Sequence, residues 1–237
     1  MIDLVAAAHG TADPRGIHEV HELVRLMAAA RPEVPISLGF VDVDVPALPG
    51  LVDRVVADSN QLVVVPLLLS SGYHTAVDIA REAERRPHQV QTASALGPDP
   101  VLAEVLVDRL RACVDLRGID QVVLAAAGSS DRRALLDCSA TAALLAERID
   151  RPVEVGYVSG AGERLGPVLD RTAGGSGRRT GRVAVATYLL APGFFADRVR
   201  RIAGGLPVSA PLGADPRIAG LAMARYDAAR KLSVVAV

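Results

Sequence analysis

The stretch DLVAAAHGTADPRG, residues 3–16, starts as a short apolar strand and breaks into a histidine, a glycine and a helix start. More than a hundred residues later QVVLAAAGSSDRRA, residues 121–134, repeats the phrase with Ala127 where His9 stood. The chain has only five histidines, so one placed where a buried strand ends needs a reason. The second copy is the internal control that tests it.

Working outward, short apolar runs alternate with stretches of three-to-four apolar spacing, the pattern of strands and amphipathic helices. The first half predicts strands at 2–8, 34–41, 61–69 and 89–95, with helices near 14–30, 46–58, 75–86 and 98–114. The second half repeats the order with strands near 121–126, 152–158, 182–190 and 206–210. Such a rhythm predicts an α/β fold with parallel sheets covered by helices on both faces. Four phrases recur in order: GTADPR (10–15) with GSSDRR (128–133), GFVD (39–42) with GYVS (156–159), PLLLSSGYH (66–74) with TYLLAPGFF (187–195), and LGPDP (96–100) with LGADP (212–216). The chain therefore reads as a tandem duplication of one Rossmann-like unit, with domains 1–116 and 117–237. The Gly-rich, basic AGGSGRRTG, residues 173–181, is expected as a mobile loop inside the second half.

Positions shared by both copies are what the fold needs; chemistry-bearing positions present once are candidates for function. His9, Asp42 and His74 have Ala127, Ser159 and Phe195 as their partners. All three lie beyond the carboxyl end of a predicted strand, where open α/β sheets bind ligands. With a strand order starting 2-1-3, they stand side by side on one rim, neighbouring strands being about 5 Å apart. Ala127 and Phe195 are expected to close the equivalent place in the second copy. Two imidazoles and a carboxylate suit a divalent metal such as Fe²⁺, Co²⁺ or Ni²⁺. Neutral imidazoles also accept protons near pH 7. A turn histidine and a helix-capping carboxylate are the plain alternatives, and Asp44 competes with Asp42 for the second role. Erasure of both histidines in the copy favours chemistry.

The remaining histidines are less telling. His18 and His21 in HEVHE are three apart, without the spacing of a zincin helix, and read as a solvated face. His88 falls in a polar turn. Cys113 and Cys138 form no metal spacing and are expected as buried, reduced thiols. A net charge of −1 argues against nucleic acid or a polybasic membrane contact. Aromatics make up 3% of the chain, with no tryptophan, too few for single-strand stacking platforms. No apolar run approaches the roughly 20 residues of a membrane span, and no signal peptide is read, so a cytoplasmic protein is expected.

These phrases resemble one known family, the sirohydrochlorin chelatases of the CbiX type in their two-domain form. The family opens with a strand and HG[ST]xxP, here AAAHGTADPRG. Its second signature is a proline-bearing strand, then Gly, His and Asp-Ile, here VVVPLLLSSGYHTAVDI, residues 63–79. A Gly-x-x-x-Asp-Arg pattern follows in the second domain, here within APGFFADRV, residues 191–199. The resemblance implies two chelatase-like domains with a cleft between them, the second lacking the active-site histidines. It implies His9 and His74 as metal-binding and catalytic residues. The family carries Glu where this chain has Asp42, one methylene shorter, so Asp42 is assigned a supporting role. Gly10, Thr11, Ser70, Ser71, Gly72 and Tyr73 are assigned to the substrate's eight carboxylates, through loop N–H groups and helix starts. The implied reaction inserts Fe²⁺ or Co²⁺ into a tetrapyrrole without ATP, in keeping with the absence of GxxxxGK[ST]. The metal is a substrate, no cofactor is permanently held, and the protein is expected as a monomer or weak homo-oligomer.

Two rivals stand against this. AHG is like the RHG of histidine phosphatases, but Ala8 replaces the phosphate-binding arginine and no duplication is expected there. A non-catalytic metal or tetrapyrrole binder, or a regulatory protein, would share the fold; two histidines kept in one copy favour an enzyme.

Overall fold

The structure, a computed structural model, describes residues 2–59, 61–70, 73–174 and 182–235, with backbone alone at 73–77 and 232–235. The first repeat forms β1 (Asp3–Ala8), α1 (Pro14–Ala30), β2 (Ile36–Phe40), α2 (Leu48–Ser59), β3 (Leu62–Pro66), α3 (Tyr73–Arg85), β4 (Val90–Thr92) and α4 (Pro100–Arg111). The second forms β5 (Gln121–Ala126), α5 (Arg132–Ile149), β6 (Val153–Tyr157), α6 (Leu165–Ala173) and β7 (Val183–Tyr188). It ends with α7 (Phe194–Ala203) and α8 (Pro216–Val235). Both sheets are parallel, in the orders β2-β1-β3-β4 and β6-β5-β7. The expected order 2-1-3 holds in each.

Helix starts follow from aspartates. Asp13, Asp99 and Asp131 cap α1, α4 and α5 by accepting the N–H two residues on. Pro14 and Pro100 then fill the first helical position, where a missing N–H costs nothing. Strands β1 and β5 end in alanines that are almost fully buried, small enough for helices to close over both sheet faces. One core packs Val5 and Ala7 under Leu48, Leu51, Val52 and Ile79. Its counterpart packs Val123 and Ala125 under Leu165, Val168, Ala196 and Val199.

The strand expected at 206–210 is reduced to a single bridge, Val185 with Val208. Pro207 and Pro211 flank it without N–H groups to give. Side chains take over instead. Thr187 N–H donates to Ser209 Oγ at 2.9 Å, and Thr187 Oγ1 donates to the Ser209 carbonyl at 2.8 Å.

Packing groups the chain differently from the repeats 1–116 and 117–237. One compact unit gathers Met1–Leu68, Gly72–Leu96 and Ala214–Val237; the other gathers Leu69–Ser71 and Gly97–Gly213. Helix α4 thus packs with the second sheet, against α5 and β7, while α8 packs with the first, against α1, β3 and β4. Each repeat gives up its last helix. Equivalent arginines fasten the exchange: Arg109 donates to the Leu212 carbonyl at 2.7 Å and 3.1 Å. Arg225 donates to the Ala95 carbonyl at 3.1 Å and the Leu96 carbonyl at 3.0 Å. Bonds from a charged donor are worth about 1.5–3 kcal/mol each. In α8 the fully buried Tyr226 adds a hydrogen bond to the Ile2 carbonyl at 2.6 Å.

The thiols part company. Cys138 is buried, and burial pushes its thiol up to about 11. Cys113, expected inside, is exposed, because it sits in the turn after α4 and its thiol donates to the Leu110 carbonyl. The expected loop lies, over 175–181, outside the described residues. No helix among the described residues is long and apolar enough to cross a membrane.

Candidate functional site

His9 is the first residue past β1, the strand hydrogen-bonded to both β2 and β3, and it is exposed. The ladder runs on past the strand ends: Val41 N–H donates to the Ala8 carbonyl and Asp42 N–H to the His9 carbonyl, both at 2.9 Å. Asp42 is therefore His9's neighbour on the rim, as the strand order requires.

Glycine after the histidine makes this approach possible. Gly10 has φ +99°, and a Cβ there would sit 1.9 Å from the Asp42 carbonyl oxygen. Gly128 repeats the arrangement at φ +98°, its Cβ falling 1.9 Å from the Ser159 carbonyl oxygen. Thr11 Oγ1 accepts from Asp13 N–H at 3.1 Å, as Ser129 Oγ does from Asp131 N–H. Arg15 and Arg133 hold the capping carboxyls of Asp13 and Asp131 below the usual range by hydrogen bonding. All of this occurs in both repeats, so it builds the rim and does not distinguish one repeat from the other.

The loop after β2 is distinctive. Asp42 Oδ1 accepts from Val43 N–H and Asp44 Oδ1 from Val45 N–H, both at 2.8 Å. These carboxylates thus brace their own loop ahead of α2. The Asp44 Oδ2 atom is buried without a hydrogen-bond partner. Val43 has φ 62°, a left-handed conformation that a β-branched residue rarely adopts. Val43 and Val45 are 66% and 80% exposed, an apolar lip beside His9.

On the other side of β1, Leu67 N–H donates to the Ala7 carbonyl at 2.8 Å, and Ser70 is half-buried. Tyr73 and His74 are the first two residues of α3. Ser71 and Gly72 lie outside the described residues, as do the side chains of Tyr73 and His74. Among the described residues, no three His, Cys, Asp or Glu side chains gather around one ion, a count that leaves out His74. His18, His21 and His88 are exposed, as read from the sequence, with the His21 ring 6.4 Å from that of Phe40.

The second rim has different occupants. Ala127 packs against the core, and Ser159 donates from both N–H and Oγ to its carbonyl, at 2.8 Å and 2.7 Å. Phe195, expected to close the place of His74, is 39% exposed on the first turn of α7. It makes an edge contact with Phe194 and points outward, because Ala196 and Val199 already supply that helix's buried face.

Tyr188 escaped the sequence reading. Its buried hydroxyl accepts from Thr141 Oγ1 at 3.1 Å and donates to the Leu69 carbonyl at 2.7 Å, one residue before Ser70. Burial drives its phenol well above the ordinary range. The signal was present, since the aligned phrases place Leu67 opposite Tyr188.

The CbiX family model matches residues 3–113 and again 121–229. The chain belongs to the CbiX family. Among solved structures, SirB from Bacillus subtilis with Fe3+ superposes with a TM-score of 0.75 at 20% identity, over 96% of this chain and 95% of that one. SirB from Bacillus subtilis subspecies spizizenii, in complex with cobalt, gives 0.72 at 20% identity over 97% and 96%. CbiX, described as the terminal enzyme for biosynthesis of siroheme in denitrifying bacteria, gives 0.64 at 17% identity over 96% and 99%. At these identities the likeness shows the fold the CbiX chain shares with them. No curated protein matches the chain in sequence.

Proposed function

We propose that this CbiX-family chain is a sirohydrochlorin chelatase, inserting a divalent metal into the tetrapyrrole without ATP. The observation that carries the proposal is an exposed His9 at the end of the central strand with Asp42 bonded beside it, in the first repeat alone. His74 is the second residue of α3, the helix after β3 on the other side of β1. SirB, similar in fold, is described with Fe3+ and with cobalt, which supports a metal as the substrate.

The chemistry asks for two things, an ion delivered and two protons removed. One divalent ion enters the macrocycle, its four nitrogens replace the ion's other ligands, and two pyrrole N–H protons leave. In this reading His9 and His74 present the ion through neutral imidazole nitrogens and take up the departing protons. Asp42 offsets the ion's charge. Backbone N–H groups at Gly10, Thr11, Ser70, Ser71, Gly72 and Tyr73 meet the carboxylates of the substrate. Fe²⁺, Co²⁺ and Ni²⁺ all suit imidazole, and the working metal follows supply in the cytoplasm, where we place this protein as a monomer or weak homo-oligomer.

Anaerobic turnover with sirohydrochlorin and each metal, followed by the absorbance of the metallated product, tests the proposal. Insertion faster than the protein-free background supports it. Tight binding of the tetrapyrrole without turnover would make the chain a carrier of the same fold.

A further inference from the structure

Helices α4 and α5 pack side by side in the second unit, and their last turns meet where β5 and β6 begin, at the end of the sheet away from its rim. Between those turns and the segment joining the repeats lies a cleft of about 670 Å³. Small-molecule sites typically hold about 300–1,000 Å³. Four arginines line the cleft: Arg111 at the end of α4, Arg117 in the joining segment, Arg148 in the last turn of α5 and Arg151 just beyond it. Asp115 is the one acidic residue of the lining. In a chain of net charge −1 this is a marked concentration of positive charge.

Capping does not account for it. The carbonyls at the end of α4 are taken by the turn that follows: Ala112 N–H donates to the Asp108 carbonyl at 3.0 Å, and Cys113 and Val114 N–H donate to the Leu110 carbonyl at 3.0 Å and 2.9 Å. Arg111 is exposed and has no ion pair or side-chain hydrogen bond among the described residues. Arg148 donates to the Leu144 carbonyl at 3.2 Å, and Arg151 to the Ile119 and Asp150 carbonyls at 3.0 Å and 2.6 Å. These bonds go to neutral acceptors, so they fix the guanidinium groups without cancelling their charge. Arg148 also meets Glu104 at 3.3 Å, and Arg117 pairs with its near neighbour Asp115 at 2.9 Å. Both are solvent-facing pairs of the weak kind that an incoming oxyanion displaces.

We propose that this cleft binds a small multivalent oxyanion, a polyphosphate or a polycarboxylate, through Arg111, Arg117, Arg148 and Arg151. Phosphate and carboxylate groups both present paired oxygens to a guanidinium fork, and charge spread over four arginines favours a polyanion over a monoanion. Val114, Leu116 and Ile149 complete the lining and give the carbon frame of an organic anion an apolar seat. A nucleic-acid strand would want aromatic stacking surfaces, and the lining has no aromatic residue. The cleft lies wholly within the second unit and uses none of the residues assigned to metal insertion.

The test is calorimetric titration of the full, metal-free chain with pyrophosphate and, separately, with citrate. Saturable binding of one equivalent is expected, weakening as salt is raised. Tighter pyrophosphate would support a phosphate-bearing ligand, and tighter citrate a polycarboxylate. Arg111→Gln with Arg117→Gln should weaken the binding about tenfold or more. Arg25→Gln with Arg81→Gln removes the same charge from exposed positions in the first unit and should leave the affinity unchanged. All four arginines are exposed, so melting temperatures should match wild type and verify folding. No saturable binding of either anion up to about 1 mM would overturn the inference. So would binding that the Arg111→Gln, Arg117→Gln variant retains in full, or that both double variants weaken equally.

Discussion

The two rims of this protein are built alike and furnished differently. At both, a buried strand ends in alanines, a glycine at φ near +98° admits a neighbouring carbonyl, and a Ser or Thr hydroxyl starts an Asp-capped helix. On that frame the first repeat sets an exposed His9 beside Asp42, and the second sets a packed Ala127 beside Ser159. Features present in both repeats are scaffold; those present once, His9 and Asp42, are the ones we assign to chemistry. Gly10 and Thr11 look like signature residues in isolation; their twins show that they shape the backbone first.

The comparison can be broken in several ways. In the largest expected effect, His9→Ala and, separately, His74→Ala slow metal insertion by about 100-fold or more while melting stays unchanged, since a lost ligand costs more than a lost surface contact. Ala127→Ser, at the matching place, should leave insertion untouched. Next, Gly10→Ala and Gly128→Ala should destabilise alike, by about 2–4 kcal/mol in denaturant unfolding, because each forces a Cβ into a carbonyl at positive φ. Unequal losses would mean that the rims are not equivalent scaffolds. Arg109→Ala and Arg225→Ala should each cost about 2 kcal/mol, the two halves of one exchange. The smallest pair separates the roles of the second strands. Asp42→Ala should slow insertion several-fold, by about 1 kcal/mol in the barrier. Ser159→Ala should cost about 1 kcal/mol of stability through its 2.7 Å bond to Ala127, with no change in rate.

Much of the fold was legible because it was written twice. Seven of the eight strands could be read from apolar runs, and the parallel order followed from alternation with helices. The eighth failed at Val208 because Pro207 and Pro211 remove ladder donors, a local effect that apolar content alone conceals. The helix exchange was invisible, since α4 and α8 bury equivalent positions and the apolar pattern does not say which sheet each one covers. Only the bonds of Arg109 and Arg225 reveal which carbonyls they reach. His9 and Asp42 stand out in the sequence by contrast with Ala127 and Ser159, and the backbone ladder accounts for their adjacency. Phe195 was misjudged as filler because an aromatic opposite a histidine says nothing of which way a first-turn side chain faces. Tyr188 is marked in the sequence only by its contrast with Leu67 in the aligned phrases, since its partner, the Leu69 carbonyl, has no side-chain signature.

We propose that metal chemistry belongs to the first rim alone. Its most direct test is the initial rate of Co²⁺ insertion into sirohydrochlorin at neutral pH, comparing wild type with the double variant His9→Ala, His74→Ala. The variant, folded and melting like wild type, is expected to fall to the rate of the protein-free reaction. A double variant inserting cobalt at the wild-type rate would contradict it.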